Sequence, residues 1–564
     1  MRKRRGTPLT AVPMGAADAI LPQRIVRISD LLTTQVLITA GAIGFLIADR
    51  PGRYGVLAGL GVAVLCVVPL RGSSLPRWMA VRLRFWRERR RRQKKPAPPR
   101  PEPCEGELPE GSPIGFRWDG HRLLAVLRIE PDIHAMTVMD PATTVSGATL
   151  PLRALADGLG QFDITVDSID VIAVGSRSRG PGRASAIYEA VLGTLPAVAH
   201  RSTCVAVRLD PRQCAEAVAR RGGGWEGALR TAATATQRVA NRLAGAGLKT
   251  RILTSAELDT VTATLPDGVR LELLEENWSN CQVGRLHLRT YALGPDLLTN
   301  AGLASLWAVR SHTTTVCLSL RNLQRDGALA VRGLVRFSSR GSARVRIPEL
   351  IDLPGRQYTA LLHTLPVPDV GRSLPGWVFG RSGDAVEHLT LPVAGCGQVI
   401  GADEGGRAVA LPLFGRDVGR VDMRLPLHLA QQMVLRALAV GARIRVHTRR
   451  EAAWRGMREQ VADANYLTLT DPDSPQHENI SGGTPTVELF DGITEWSVPP
   501  GVTTMSVRDP DAAPLRDTDV TLQLLDPDRD VVRVATPAGT TVVTMVATDE
   551  ELRYLEPSLE LAIR

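Results

Sequence analysis

Residues 420–448 read RVDMRLPLHLAQQMVLRALAVGARIRVHT, and this stretch sets the fold class. Positions 420–424 alternate polar with apolar, the period of a strand. Positions 427–440 switch to helical spacing. Gly441 comes next, where a left-handed cap is favoured. Positions 443–447 alternate again, and 452–464 reads as a further helix. Strand, helix and strand at this spacing imply a right-handed crossover in a mostly parallel or mixed sheet. The fold class is therefore α/β.

The same alternation lies upstream. Segments 121–129 and 164–174 read as strands. Segment 204–209, CVAVRL, is a short strand meeting Asp210-Pro211, an N-cap followed by proline at the first helical position. After Gly222-Gly223-Gly224, the residues Leu229, Ala232, Thr236, Val239 and Leu243 recur at spacings of three and four. That gives one narrow apolar face to set against a sheet. Gly245 and Gly247 stop the helix, and 249–254 is the next strand. The chain after residue 466 changes character: 487–490, 520–525, 531–535 and 541–547 read as short strands between Asp, Pro and Gly turns. There is no internal repeat. A β-rich C-terminal extension, 466–564, is thus expected beyond an α/β domain at 111–465.

The N-terminus has a different composition. Residues 31–48 and 54–70 are two uncharged apolar runs, near the lower length limit for crossing a bilayer. The turn between them, Asp49-Arg50-Pro51-Gly52-Arg53, is short enough to force an antiparallel transmembrane hairpin at 31–70. Six Lys/Arg occur in residues 1–30 and eleven in 71–95, against two in the turn. The excess of positive charge on both flanks puts both termini, and the main body, on the cytoplasmic side of the plasma membrane. The first run starts too far from Met1, and is followed too soon by the second, to be a cleaved leader.

Residues 71–95 form a basic amphipathic segment. If it is helical, Trp78, Val81, Phe85 and Trp86 make a broad apolar arc, and most other positions are arginine. Two readings stand side by side. The helix lies at the anionic headgroup surface, using Trp78, Arg82, Phe85, Trp86, Arg89, Arg90, Arg91 and Arg92; or it continues the second span into water. A proline-rich linker at 96–110 then leads into the body.

Charge is distributed to match. Of a net +10, residues 1–95 contribute 19 Lys/Arg against four acids, so the remainder is mildly acidic. This argues against a nucleic-acid-binding body. The seven cysteines are odd in number, with no CxxC pair, as expected of reduced and mostly buried thiols.

A catalytic constellation is not apparent. The stretch 401–413 has the strand–turn–strand look of an approach to a phosphate loop, but the residues after it have neither the glycines nor the lysine of GxxxxGK[ST]. Asp471-Pro472-Asp473, Asp509-Pro510-Asp511 and Asp526-Pro527-Asp528 have the carboxylate spacing of a divalent-ion site, yet Asp-Pro-Asp is also a turn sequence. The 175–182 loop, GSRSRGPG, could cradle an anion or simply be mobile. There is no GxSxG and no HExxH. No catalytic, cofactor or metal residue is expected.

In layout the chain resembles the EccE family, membrane components of the actinobacterial type VII (ESX) secretion system. The two-span N-terminus, arginine-rich helix and proline linker are similar. So are three segments: 208–248; 276–291, ENWSNCQVGRLHLRTY; and 399–449, containing GADEGGRAVALPLFG and HLAQQMVLRALAVGARIRVHT. The resemblance runs through most of 30–465 and stops short of the C-terminal extension. It implies a non-enzymatic subunit at the periphery of a membrane complex with EccB, EccD and EccC, the last an FtsK-like ATPase, and no cofactor. It also implies a glycosyltransferase-like soluble fold, which leaves a membrane-tethered transferase as the alternative reading.

Overall fold

The strand–helix–strand unit is present. In the computed structural model Arg420–Arg424 is a strand, Leu427–Ala439 a helix and Ile444–Thr448 a strand. Gly441 takes a φ of +105° and donates its N–H to Leu438 O, closing the helix end as its sequence requires. The structure describes residues 10–11, 35, 39, 43, 75–94, 103–130, 135–140, 144–145, 148–323, 328–341, 344–367, 374–380, 383–472 and 484–553.

This unit belongs to a twelve-stranded mixed sheet. Six of its strands are parallel, in the order 467–470, 444–448, 487–491, 503–508, 420–424 and 520–526. Antiparallel hairpins extend it through 531–536, 539–544, 398–402, 408–411 and 137–139. The C-terminal region is β-rich, as expected. However, Val487–Asp491 and Thr503–Arg508 lie between Ile444–Thr448 and Arg420–Arg424. The expected boundary at 465/466 therefore cuts through one continuous sheet.

Side-chain alternation explains how this sheet is packed. Val421, Met423, Ile444, Val446, Val487, Leu489, Met505, Val507, Val520 and Leu522 belong to one buried cluster with the 427–439 helix. Residues of opposite parity, Phe490 apart, include the polar Arg420, Asp422, Arg424, Arg445, His447, Glu488, Ser506 and Arg508. Several pair with one another, and Arg420 and Ser506 both donate to Glu495. Arg508 makes a two-pronged contact with Asp422 at 2.8–3.0 Å, and His447 Nε2 lies 2.7 Å from Glu488. Instead of a second helical layer, loops lie over this face. The Leu515 N–H donates to Asp422, Arg516 O accepts from Arg420, and Trp496 packs edge-on against His447 and Phe490.

The first sheet corrects an expectation. Its fourteen strands make only antiparallel neighbours. His200–Leu209 and Lys249–Ile252, joined through the 224–245 helix, do run parallel, but Leu123–Glu130 lies between them and opposes both. An earlier strand has taken the middle place. The expected 164–174 strand is also two elements. Ile164–Thr165 closes a small hairpin, Asp167 turns aside to Arg122 at 3.1 Å, and Ser168–Ser176 forms the central strand. The proline-rich stretch ends sooner than expected, because Cys104–Glu107 is already an edge strand. Helix 224–245 forms as read, burying Ala232, Thr236, Val239 and Leu243.

The two sheets meet at the 175–182 loop, which is a fixed joint and not a mobile segment. The N–H groups of Arg179 and Gly180 both donate to Ala439 O, at 3.0 and 2.9 Å. A Cβ at Gly180 would come within 1.9 Å of Leu438 O, so only glycine permits this approach. Arg177 is buried and donates to Glu189, Leu195 O, Gly193 O and Trp307 O. Helix Gly182–Leu192, though part of the first sheet's connection, buries Ala184, Ile187, Tyr188 and Leu192 in the second sheet's core.

Arg436 secures the other side of the 427–439 helix. Its Nε and Nη2 both donate to Glu551 at 2.9 Å, Nη1 to Val399 O and Ile400 O, and Nη2 also to Val546 O. Both side chains are 1% exposed. Breaking a buried pair strands a charge and costs about 3–5 kcal/mol, whereas replacing both partners with apolar groups is far milder. Glu551→Ala should thus lower the urea midpoint of the full chain by a corresponding amount. The double change Arg436→Met with Glu551→Leu should restore most of it, and equal losses in the two variants would contradict this account.

Candidate membrane-proximal interface

Leu75–Lys94 forms one continuous helix, as its spacing predicts. Its broad apolar arc, however, divides between two opposite faces. Phe85, 8% exposed, turns towards the body and meets the Trp278 ring edge-on at 5.5 Å. Val81 and Glu88 flank it on the same side, partly buried. Arg82 holds its guanidinium 5.7 Å from the Trp278 ring centroid.

The seat for Phe85 is built locally. Trp278 sits in the turn between 275–276 and 281–283, closed by Asn277 N–H donating to Asn280 O at 2.8 Å. Trp278 O accepts from the Gly355 N–H, also at 2.8 Å. Gly355 has a φ of +67°, and a Cβ there would stand 2.8 Å from the indole and 3.3 Å from Phe85 Cβ. Glycine is thus needed both for the backbone and for the space.

On the far side, Met79, Leu83 and Trp86 are exposed. Their spacing of four and three places them on one stripe. Arg90 lies over the Trp86 ring at 3.4 Å. Arg82, Arg89, Arg90 and Arg91 are exposed around the stripe. Of the residues expected at a lipid surface, Trp86 and Arg90 share the outward stripe, Arg89 and Arg91 are exposed, and Arg82 and Phe85 turn to Trp278 on the body. Trp78 and Arg92 belong to the helix, but their side chains fall outside the description. Met79 and Leu83 were missed because tryptophan and phenylalanine dominated the reading of the arc. Their i, i+4 spacing with Trp86 three further on was the available signal.

Most of 31–70 lies outside the described residues. Gln35, Thr39 and Ile43, from the first apolar run, are helical, and Thr39 Oγ1 donates to Gln35 O at 2.8 Å. Among the described residues no helix is long and apolar enough to cross a membrane. Thr10–Ala11, which precede both runs, pair as a strand with Val378 and Phe379 of the body.

The acidic turns resolve in favour of turn chemistry. Asp509 accepts from Asp511 N–H at 2.9 Å, and Asp526 from Asp528 N–H at 3.0 Å. Asp473 is outside the described residues. Segment 398–411 is a β-hairpin whose turn is held by Asp403, which accepts from the backbone N–H of Gly405 and Arg407. Six cysteines are described and all are free thiols, five of them buried. Burial raises Cys204 and Cys396 to about 11, which keeps them protonated and unreactive.

A family model described as "Putative type VII ESX secretion system translocon, EccE" matches residues 197–293. The ESX-1 secretion system protein EccE1 of Mycolicibacterium smegmatis is 26% identical over 398 residues, 69% of this chain and 75% of that protein. EccE1 of Mycobacterium tuberculosis is 27% identical over 446 residues, 74% and 83% of the two chains. The ESX-5 protein EccE5 of Mycobacterium marinum is 28% identical over 301 residues, half of this chain and 70% of its own. This chain is similar to EccE proteins over half to three quarters of its length. The stretch matched by the EccE model contains Trp278, so this region of the body supplies the seat for the 75–94 helix.

If Phe85 fastens that helix, truncating it should free a segment dense in trypsin sites. Phe85→Ala in the full chain in detergent should speed cleavage between Arg82 and Arg92 severalfold. Leu83→Ala, on the outward face, should leave the rate unchanged. Limited proteolysis with mass mapping measures both, and equal acceleration by the two changes would remove Phe85 from this role.

Proposed function

We propose that this chain is a non-enzymatic subunit of a type VII secretion complex in the plasma membrane, assembling with and stabilising EccB, EccC and EccD. The observation that carries the reading is the EccE match across most of the chain, with relatives that are named as ESX secretion system proteins. The mechanism is association. A hairpin at 31–70 holds the chain in the membrane. The 75–94 helix, bolted to the body through Phe85 and Trp278, lays Met79, Leu83 and Trp86 with their arginines against the inner leaflet. The two-sheet body stands beyond it as a docking platform for neighbouring subunits.

Two features support the hairpin topology. Seventeen Lys/Arg flank the apolar runs and two lie in the turn between them. Thr10–Ala11 pair with the body that comes after the runs. A strand pair of this kind needs both ends of the hairpin on one side of the bilayer. A reporter active only outside the cytoplasm, fused after Arg564, should therefore stay silent. Activity there would overturn the two-span arrangement.

Association without chemistry has its own test. Tagged full chain purified from solubilised membranes should bring down the ATPase subunit. Truncation after Pro109 should abolish this, because the hairpin would remain without its platform. Changing Asp471, Asp473, Asp526 and Asp528 together to Asn preserves turn-forming acceptors and removes the carboxylates a metal would need. Secretion and co-purification should persist near the unaltered level. Loss of secretion from an intact complex would instead favour a catalytic or metal-binding role.

The lipid contact is tested separately. Peptide 75–95 should bind vesicles containing anionic lipid more tightly than neutral ones, and Arg89, Arg90, Arg91 and Arg92 changed to Gln should erase most of the difference. Each arginine at such a surface contributes about 1 kcal/mol. Equal binding of the unaltered peptide to both vesicle types would leave the helix as a mere extension of the second span.

A further inference from the structure

The hairpin Gly160–Gln161 with Ile164–Thr165 turns through only two residues, Phe162 and Asp163. Phe162 has a φ of +53°, while Asp163 is not among the residues of positive φ. A two-residue turn with positive φ at its first central position ordinarily places glycine there. A bulky aromatic residue in this backbone conformation is a true outlier. Its side chain gains no burial from the fold in return. Phe162 is 102% exposed, and among the described residues its ring contact is the Arg238 guanidinium, 5.7 Å away.

The tip is nonetheless held rigidly. Gln161 Nε2 donates to Gly158 O and to Ala235 O of the 224–245 helix, at 2.8 and 3.1 Å. Arg238 donates to Gln161 O at 3.0 Å and to Asp163 at 3.3 Å, and Arg221 donates to the other Asp163 oxygen at 2.8 Å. The Arg221 hydrogen bond, above all, holds the Asp163 carboxyl at about 2. That lies below the ordinary value near ~3.9, so the clamp is fully present above that pH and is lost only as pH falls towards 2. The setting is basic: the helices 215–220 and 224–245 carry four arginines and two glutamates, and Arg221 between them adds a fifth arginine, with Arg220 and Arg230 largely exposed. Trp225, 48% exposed, opens the same helix.

We infer that this hairpin is a docking knob, whose Phe162 ring enters an apolar pocket rimmed by carboxylates on a neighbouring protein subunit. The inference rests on the subunit reading above and specifies a surface for it. A strained, rigid, solvated aromatic residue beside Arg238, on a turn clamped by Arg238 and Arg221, has the composition of an interface anchor. A lipid surface fits less well. The helix beneath the knob packs against strands 104–107 and 123–130. The membrane-proximal helix sits by Trp278, next to strand 281–283. Six inter-strand steps separate 281–283 from 123–130, or about 29 Å at the usual strand spacing. Hydrogen bonds of the backbone also supply no reason for phenylalanine, since glycine would satisfy the same turn.

The test uses the full chain in cells that assemble the secretion complex. Phe162→Gly removes the ring and relieves the backbone, so the melting temperature in detergent should stay the same or rise. Recovery of the assembled complex should fall roughly tenfold or more, as for loss of an interface anchor, and Phe162→Tyr should retain it. Arg238→Glu, which reverses the rim charge, should also weaken assembly. Benzoylphenylalanine placed at 162 should give a light-dependent adduct with a second protein subunit within the purified complex. Wild-type recovery of the Phe162→Gly complex, or adducts with lipid alone or with nothing, would overturn the docking role. If the unaltered chain co-purifies with no subunit, both the subunit reading and this inference fall. If it assembles and only the Phe162 variants prove silent, this inference falls alone.

Discussion

Arg436 carries a full charge into the interior, and the second sheet is organised around meeting it. An isolated guanidinium at that depth would cost several kcal/mol in lost hydration. Here the charge meets Glu551 from the C-terminal segment and three backbone carbonyls from two other parts of the chain, Val399, Ile400 and Val546. Gln432, one turn earlier, reaches the same Val546 carbonyl and Glu551. A helix buried on nearly all sides cannot be held in register by apolar contact alone, because greasy surfaces slide. The directional bonds of Arg436 and Gln432 fix its rotation and depth. Everything that rests on the helix inherits that position, including the parallel strands on one side and the 182–192 helix on the other.

The joint between the sheets depends on this. Ala439 O, at the end of the fixed helix, receives two N–H groups from the 175–182 loop, and His200 Nε2 lies 2.6 Å from Val440 O. Cys396 and Gly397 donate to Val198 O and Ala199 O from the other direction. The antiparallel sheet and the mixed sheet are therefore stitched by backbone polar groups as well as by shared core. For an association platform this matters, because docking surfaces on the two sheets then keep a constant geometry.

Charge and exposure divide the molecule's surfaces by task. The excess of positive charge sits in the first 95 residues, and the body is mildly acidic. The 75–94 helix has two distinct faces. Phe85 faces protein, and Met79, Leu83 and Trp86 face outward. The buried carboxylates elsewhere are committed to structure. Asp491 accepts from Thr448, Trp454 and Arg450, and Asp422 from Arg508.

What the sequence determined by itself is what short-range physics controls. Period 3.6 against period 2, the Asp210-Pro211 start, the Gly441 cap and the apolar face of 224–245 each depend on residues within a turn or two, and each appears where its pattern lies. The Lys/Arg asymmetry was likewise legible without a fold, since it needs only counting along the chain. Strand order was not legible. Nothing local in 487–491 or 503–508 says that they enter between 444–448 and 420–424, because strand neighbours are chosen by long-range pairing that leaves no periodicity. The break at Asp167 was hidden for the same reason: its partner, Arg122, is distant in sequence. Which side of the juxtamembrane helix meets protein was undecidable too, as Phe85 and Trp86 are equally apolar. Only the pocket formed by Trp278 and Gly355, nearly two hundred residues or more away, turned one inward and left the other out.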